Sequence, residues 1–553
     1  MARRQEVYTA KAKRTVKAEA PEDGAVSAKY KKAKDKGGKT AAGRTAEKEV
    51  TKKSAEKKTA ARSDSRTKAA SPGRRTAVPK AVRVLPAQEK RKAVRRTAAA
   101  RCAEPDEDKD ERRLAAMHRR IQRKEKKEAT VFRDRKRAVS RAGDARVTLI
   151  ALLTLLFEVL GLLLAAVRTE GTVDMQAVML CAVVAPVGLI TSLLLPRVLP
   201  IDSLIMALTN FLCGVGLVIL YTVAPERGVR QAQFYVAGLV LMIVIGVMVS
   251  RMRRFRGITL LAMVLGIMAL VLPLAFGEWN NGAKNWVELP VVGSFQPSEL
   301  VKLSLVLALA YYFSAHRTVF QMMPAILFAA ACLVLLMLQR DLGTALIYYL
   351  TTLVLFYAAC GNVPLTMLGL CGGAGAAVLG YNMFAHVKVR VAMWRNPWSD
   401  PLDKGYQIIQ ALLAIGSGGL FGVGLGQGTP EKIPAYYNDF IFAVICEQMG
   451  LVFGLLLLLV YVLLILRGVT VISRSRRSFD MLLGCGVLAM IGIQTFMIVA
   501  GVIKMIPLTG VTMPFLSYGG SSLMSCMAMI GILHGISGRA QENLEEDVLT
   551  SRV

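Results

Sequence analysis

Residues able to do chemistry collect in a few polar stretches of an otherwise apolar chain. The longest stretch, 385–439, sets Lys388, Arg390 and Arg395 close to Asp400 and Asp403 in sequence. A carboxylate can take a proton while fixed positive charge receives a departing anion. This grouping therefore suits a reaction that deprotonates one group as a phosphate leaves another. A shorter stretch, 277–297, leads into Glu299 and Lys302, which are three apart and so share a helix face. Ionisable groups within a membrane span are costly and usually serve an ion or substrate path; the plainer alternative is that the two simply pair. All four tryptophans lie in these stretches, Trp279 and Trp286 in the shorter, Trp394 and Trp398 in the longer. That placement fits an interfacial aromatic belt as well as contact with a sugar or lipid headgroup.

A third cluster, KMIPLTGVTMPFLSYGGSS at 504–522, has enough Pro, Gly and Ser to break a helix. Irregular backbone at membrane depth is tolerated where protein buries it or where it lines a cavity. Asp341, Asp439 and Glu447 fall at span ends or within spans and are expected to face the same interior. The glycine-rich run 416–428 permits close approach of its backbone to a ligand or a helix. No Gly-Lys-Ser/Thr follows it, so it is not a nucleotide P-loop.

These groups must be held by elements of two kinds. The chain has 553 residues, is 54% hydrophobic and carries a net charge of +31. Residues 1–145 hold 45 Lys and Arg against 20 Asp and Glu, a net of +25, which leaves +6 for the rest. The first part reads as a disordered basic tail, because it lacks the apolar surface to offset its ordering entropy. A charged helix near the membrane is expected within 105–140. The tail suits contact with anionic membrane lipids at ~1 kcal/mol per basic residue, or a solvated segment that only sets topology; no nucleic-acid partner is expected. The opening MARRQEVYTA has no apolar segment, so no cleavable signal peptide is expected there. Nine cysteines without a CxxC pair and four scattered histidines offer neither a disulfide framework nor a zinc site.

The apolar part contains twelve candidate spans of the length a bilayer requires: 147–167, 173–195, 203–223, 231–250, 257–276, 298–315, 320–338, 342–360, 363–384, 440–466, 480–503 and 511–537. The expected class is an all-α polytopic membrane protein, with a tail at 1–145, two helices within 146–200, a body at 201–540 and a C-terminal tail at 541–553. Basic residues mark the inside. They place both termini, RMRRFR at 251–256 and the loop 467–479 in the cytoplasm, and 277–297 and 385–439 outside.

The stretches NGAKNW (281–286), QPSELVK (296–302), DLGTA (341–345), GYQIIQALLAIGSGGLFGVGLGQG (405–428), DFIFAVICEQMG (439–450) and PLTGVTMPFLSYGGSS (507–522) occur in this order. Together they resemble the SEDS family of RodA, FtsW and SpoVE over roughly 201–540. The family usually has ten spans, so the tail and the first two helices are additions. Arg340 stands where the family usually has Pro, Gln448 where it has a second acid, and Asn438 where Thr is common.

The resemblance implies a peptidoglycan glycosyltransferase in the bacterial cytoplasmic (inner) membrane. Such an enzyme polymerises lipid II on the outer face beside a class B penicillin-binding protein, in elongation, division or sporulation. It implies Asp400 as the essential aspartate, with Trp286 and Lys302 as functional residues. The expected reaction is a single inverting displacement that releases undecaprenyl pyrophosphate, with Asp400 as base. Trp286, Glu299, Lys302, Lys388, Arg390, Arg395, Gln407, Asp439, Ser517 and Ser521 are the expected substrate-binding residues, and a divalent cation (Mg or Mn) could assist. The alternatives are a lipid II flippase, whose charges would sit near the membrane midplane, and a non-catalytic scaffold for a penicillin-binding protein.

Overall fold

The computed structural model describes residues 145–167, 173–252, 255–280, 283–289, 293–315 and 318–550. The basic tail and the helix expected within 105–140 lie outside the described residues. Among the described residues, twelve helices are long and apolar enough to cross a membrane. They are α1 (Ala145–Val167), α2 (Met175–Leu193, extended by a turn to Val198), α3 (Ser203–Val223), α4 (Pro225–Arg251), α5 (Arg256–Phe276), α6 (Pro297–Ala315), α7 (Val319–Leu338), α8 (Leu342–Cys360), α9 (Val363–Met383), α12 (Ile441–Ile472), α13 (Ser478–Val502) and α14 (Gly520–Thr550). Two shorter helices, α10 (Ala385–Arg395) and α11 (Tyr406–Gly418), lie between α9 and α12. The chain is a multi-pass membrane protein.

Most span limits agree with the hydropathy reading to within a few residues. The last does not: 511–519 is irregular backbone, and α14 begins at Gly520. α14 also runs past residue 540 to Thr550, so the expected C-terminal tail continues the helix.

The shorter polar stretch forms a three-stranded antiparallel sheet rather than an open loop, with β1 (Glu278–Asn280), β2 (Ala283–Leu289) and β3 (Gly293–Phe295) in that order. Asn281-Gly282 separates β1 from β2 in the sequence, and Asn-Gly between extended segments is the strongest short-range hairpin signal. Glu278 pairs with Trp286, and Val287 with Phe295. The Lys284 amide donates to the Gln339 carbonyl at 3.0 Å, and its ammonium to the Leu274 carbonyl at 2.8 Å. The sheet is thereby fastened to the end of α5 and to the α7–α8 turn.

The apolar core runs through α3, α6, α12, α13 and α14, with α14 packed along α4 and α6 against α5 and α13. α12 is broken at Gly450, whose φ of 83° and ψ of 167° are non-helical and open essentially only to glycine. The glycine-rich run supplies partners for the backbone freed there. Leu451 and Val452 amides donate to the Gly419 and Leu420 carbonyls, and Val423 and Gly424 amides to those of Glu447 and Gln448. The Glu447 carboxylate accepts from the Thr429 amide at 3.1 Å, and the Gln448 side chain from the Gly426 amide at 3.1 Å. The run's close approach is therefore to a helix, and Glu447 serves that contact.

Candidate functional site

The helices alternate in direction. This brings the sheet, the α7–α8 turn, the 385–440 segment and the 503–519 segment to one end of the bundle. α10 lies over residues 504–510. The Trp394 indole N–H donates to the Lys504 carbonyl (3.2 Å), and the Lys504 ammonium to the Arg395 carbonyl (3.4 Å). Arg390 Nη1 donates to the carbonyls of Leu508 (3.3 Å) and Thr509 (3.1 Å). At Gly510, φ is 69°, and a Cβ there would lie 3.5 Å from both Arg390 Nη2 and Asp439 Oδ2. Gly510 thus lets a guanidinium and a carboxylate approach one point from two segments.

Burial pushes the Asp439 carboxyl up from 3.8 to about 6, with Arg390 pulling it back and Asp341 pushing it further up. Burial lowers the His386 imidazole, helped by the guanidinium groups of Arg390 and Arg340. Arg340, Asp341, His386, Arg390 and Asp439 therefore share one electrostatic neighbourhood. Asp341 is held there by Asn285 (2.9 Å), Gln296 (3.0 Å) and the Thr344 hydroxyl (3.0 Å).

The 435–440 segment is stitched to 513–518. The Ser517 hydroxyl donates to the Asn438 carbonyl at 2.7 Å and accepts from the Met513 amide at 2.8 Å. The Tyr518 amide donates to the Tyr437 carbonyl at 2.9 Å. Arg227 lies 3.2 Å above the Tyr437 ring, a cation–π contact. Ser517 is thus occupied as a staple. Ser521, in the first turn of α14, is half-buried.

Among the described residues four non-glycine residues have positive φ: Arg340, Ala435, Lys504 and Phe515. All four lie in the segments framing this end. Such backbone costs about 1–3 kcal/mol per residue and clusters at functional sites.

Asp400 follows the single turn Pro397–Ser399, between α10 and α11. It is half-buried, flanked by exposed Trp398 and Leu402. The Gly405 amide donates to the Asp400 carbonyl at 2.9 Å and closes the turn. A Cβ at Gly405 would come within 2.1 Å of the Pro397 carbonyl oxygen, so only glycine fits. Among the described residues no partner engages the Asp400 carboxylate. Lys388 and Arg395 are exposed on α10, Asp403 is exposed, Gln407 is half-buried at the start of α11, and Trp286 is half-buried on β2.

Glu299 and Lys302 are deeper. Lys302 is 1% exposed, and its ammonium donates to Glu299 Oε2 (2.8 Å) and Gln494 Oε1 (2.9 Å). The Gln494 amide in turn donates to the Thr512 carbonyl at 2.8 Å, and the Thr512 hydroxyl meets that of Ser522 at 2.7 Å. This chain ties α6 and α13 to the irregular segment. Two of the three ammonium N–H groups of Lys302 are thereby engaged. Among the described residues no three His, Cys, Asp or Glu side chains converge as a metal site.

The sequence reading did not single out Gln494, Lys504, Arg227 or His386 as site residues. A lone amide in the apolar run IGIQTFM is the one signal for Gln494. Lys504 and His386 fall within the stretches 504–522 and 385–439, and nothing local marks Arg227.

A family model described as Cell cycle protein, for FtsW, RodA and SpoVE, matches residues 203–542. Peptidoglycan glycosyltransferase RodA of Mycobacterium tuberculosis strain H37Rv is 32% identical over 373 residues, covering 62% of this chain and 79% of the relative. Stage V sporulation protein E of Bacillus subtilis strain 168 is 33% identical over 357 residues, covering 61% and 96%. A solved chain from a study of how a peptidoglycan synthase complex coordinates polymerization and crosslinking aligns with a TM-score of 0.52 and 27% identity, covering 61% of this chain and 97% of that one. The matched region begins at α3, takes in every element of the site end, and leaves out α1 and α2. The chain belongs to the FtsW/RodA/SpoVE family of cell cycle proteins.

Proposed function

We propose that this protein is a peptidoglycan glycosyltransferase that polymerises lipid II on the outer face of the bacterial cytoplasmic membrane, with both termini in the cytoplasm. The observation that carries the reading is the placement of Asp400. Its carboxylate is unengaged, sits outside the spans, and lies between exposed Trp398 and Leu402. An amphiphilic substrate needs such a border, with apolar surface for chain or sugar face and a polar group at the reacting centre. A transporter's free charges would lie within the spans. Here Glu299 and Lys302 neutralise each other at 2.8 Å.

In the reaction the 4-hydroxyl oxygen of the acceptor GlcNAc attacks the anomeric carbon of the donor. The Asp400 carboxylate takes the hydroxyl proton, a role worth ~10²–10⁴-fold in rate. The bond from the anomeric carbon to the pyrophosphate oxygen breaks, the configuration inverts, and undecaprenyl pyrophosphate leaves. Exposed Lys388 and Arg395, with Arg390 anchored on the 508–509 carbonyls, supply positive charge for that leaving group. Half-buried Trp286 and Gln407 are the proposed sugar contacts. Asp439 sits beside Arg390 and orients it. A class B penicillin-binding protein is the proposed partner for crosslinking.

The test is a gel assay of glycan strands from labelled lipid II, using purified full-length protein with and without a class B penicillin-binding protein. Strands made by the wild type and not by Asp400→Asn support the reading. Inactivity under every partner condition, with lipid II transport across vesicles, would favour the flippase.

A further inference from the structure

At the end of the bundle opposite Asp400, α6, α7, α8, α9, α12 and α13 leave a cavity of about 770 Å³. That volume lies in the range of about 300–1,000 Å³ typical of small-molecule sites. Its walls are apolar, with Phe313, Phe356, Ile472 and Leu482 among them. Its polar lining comes from helix ends: Ser314 near the end of α6, Asn362 at the start of α9, Ser473 after α12 and Ser478 opening α13. Among the described residues no acidic residue lines it. The loop joining Ser473 to Ser478 carries Arg474, Arg476 and Arg477, all exposed. The cavity is thus an apolar slot with a polar mouth, and an arginine-bearing loop joins two of its lining residues, Ser473 and Ser478.

We infer that this cavity binds an anionic phospholipid, with an acyl chain in the slot and the headgroup phosphate at the 474–477 loop. Charge selects the occupant. Basic pockets between spans on the cytoplasmic side bind anionic headgroups, and that leaflet is the anionic one. The protein's own residues 1–145, at a net +25, would be repelled by the same loop. A zwitterionic lipid would fill the slot but, with its phosphate charge offset by its own cation, gain less from the arginines. Assignment to the cytoplasmic leaflet rests on the orientation proposed above; the binding chemistry does not.

Two free cysteines, Cys360 and Cys485, line the cavity, and Cys371 is exposed on α9 outside it. The full chain is placed in nanodiscs of phosphatidylcholine alone or with phosphatidylglycerol, and N-ethylmaleimide modification of each cysteine is followed by mass spectrometry. Phosphatidylglycerol is expected to slow modification at Cys360 and Cys485 roughly tenfold and to leave Cys371 unchanged. Arg474→Gln with Arg477→Gln is expected to abolish that difference, a loss of roughly thirtyfold in binding for two basic residues. Equal rates in the two lipids would overturn the proposal, and so would protection that survives the double variant. Protection by inorganic phosphate in lipid-free detergent, or protection in detergent without any additive, would overturn it too. Should the double variant fail to fold, the wild-type comparison between lipids still decides. The readout does not depend on polymerisation, so failure here leaves the glycosyltransferase reading standing, and the reverse holds.

Discussion

At the residue scale the site sets the unengaged carboxylate of Asp400 against the engaged ones of Asp341 and Glu299. Asp400→Asn preserves size and removes the base, so strand synthesis on a gel should fall by ~10²–10⁴-fold with insertion and folding intact. Asp403, exposed three residues on, should matter less when replaced by Asn in the same assay. Lys302 poses a different question, because its ammonium is already spent on Glu299 and Gln494. Lys302→Met alone strands a buried carboxylate and should destabilise by ~3–5 kcal/mol, seen as a lower thermal midpoint in detergent. Replacing both Glu299 and Lys302 with apolar residues should restore the midpoint. Strand synthesis by that double variant would assign the pair a structural role; its absence would assign Lys302 to substrate. The i,i+3 spacing of this pair was legible in the sequence. Its third member, Gln494, was not, because 192 residues separate the partners and only the folded bundle joins them. Asp439 should respond to pH. Its folded pKa of about 6 exceeds the ordinary 3.8, so between those values the folded state holds more protons than the unfolded. Asp439's contribution to stability should be greatest below about pH 4 and decline as pH rises toward 6. Asp439→Asn should flatten that decline in thermal melts.

At the element scale, hydropathy located the spans because length and apolarity suffice to mark a membrane helix. Hydropathy alone failed at 511–519, since a broken apolar segment can be as apolar as a helical one. The Pro, Gly and Ser of 504–522, read as breaking a helix, marked the irregular backbone found there. The sheet in 277–297 was missed for the opposite reason: β1 and β3 have three residues each and AKNWVEL of β2 does not alternate cleanly, so only Asn281-Gly282 betrays a hairpin. The glycine-rich run was readable as backbone needing close approach, though not as the patch over a break in α12. Gly450→Ala and Gly422→Ala test that patch. A Cβ at Gly450 would lie 2.3 Å from the Leu420 carbonyl oxygen, and one at Gly422 2.2 Å from that of Gln448, both at positive φ. Each substitution should destabilise by at least ~1–3 kcal/mol and expose the 419–429 run to protease. Arg340 explains a departure from the family pattern. Its φ is 62° and its amide donates to the Met337 carbonyl at 3.0 Å; proline, fixed near −65° and lacking N–H, fits neither.

For the whole molecule, the family match begins at residue 203, yet the structure does not begin to hold itself together there. α1 and α2 pack on α3 through groups that need them. The Asn210 amide donates to the Gly188 carbonyl (3.1 Å) and to the hydroxyls of Thr191 (2.9 Å) and Ser192 (2.8 Å), all on α2. Its carbonyl accepts from the Tyr235 hydroxyl at 3.0 Å. Glu158 of α1 is 1% exposed and presses into the notch at Gly214, where a Cβ would lie 2.2 Å from its carboxylate. Phe157 stacks on Phe453 of α12 at 5.9 Å. Two truncations should therefore behave differently. Removing residues 1–140 takes away no group in these contacts, so polymerisation in detergent should be largely unchanged and only binding to anionic vesicles should weaken. Removing residues 1–200 deletes every α2 partner of Asn210 and opens the α3 face to detergent. An unsatisfied buried amide costs about 1–3 kcal/mol, and the lost helix packing adds to it. The thermal midpoint should drop even though every matched motif remains. Asn210→Leu in the shorter protein removes the orphaned amide and should recover part of the loss. If the 1–200 truncation melts like the full chain, α1 and α2 are not part of the cooperative unit, and the body at 201–540 stands alone.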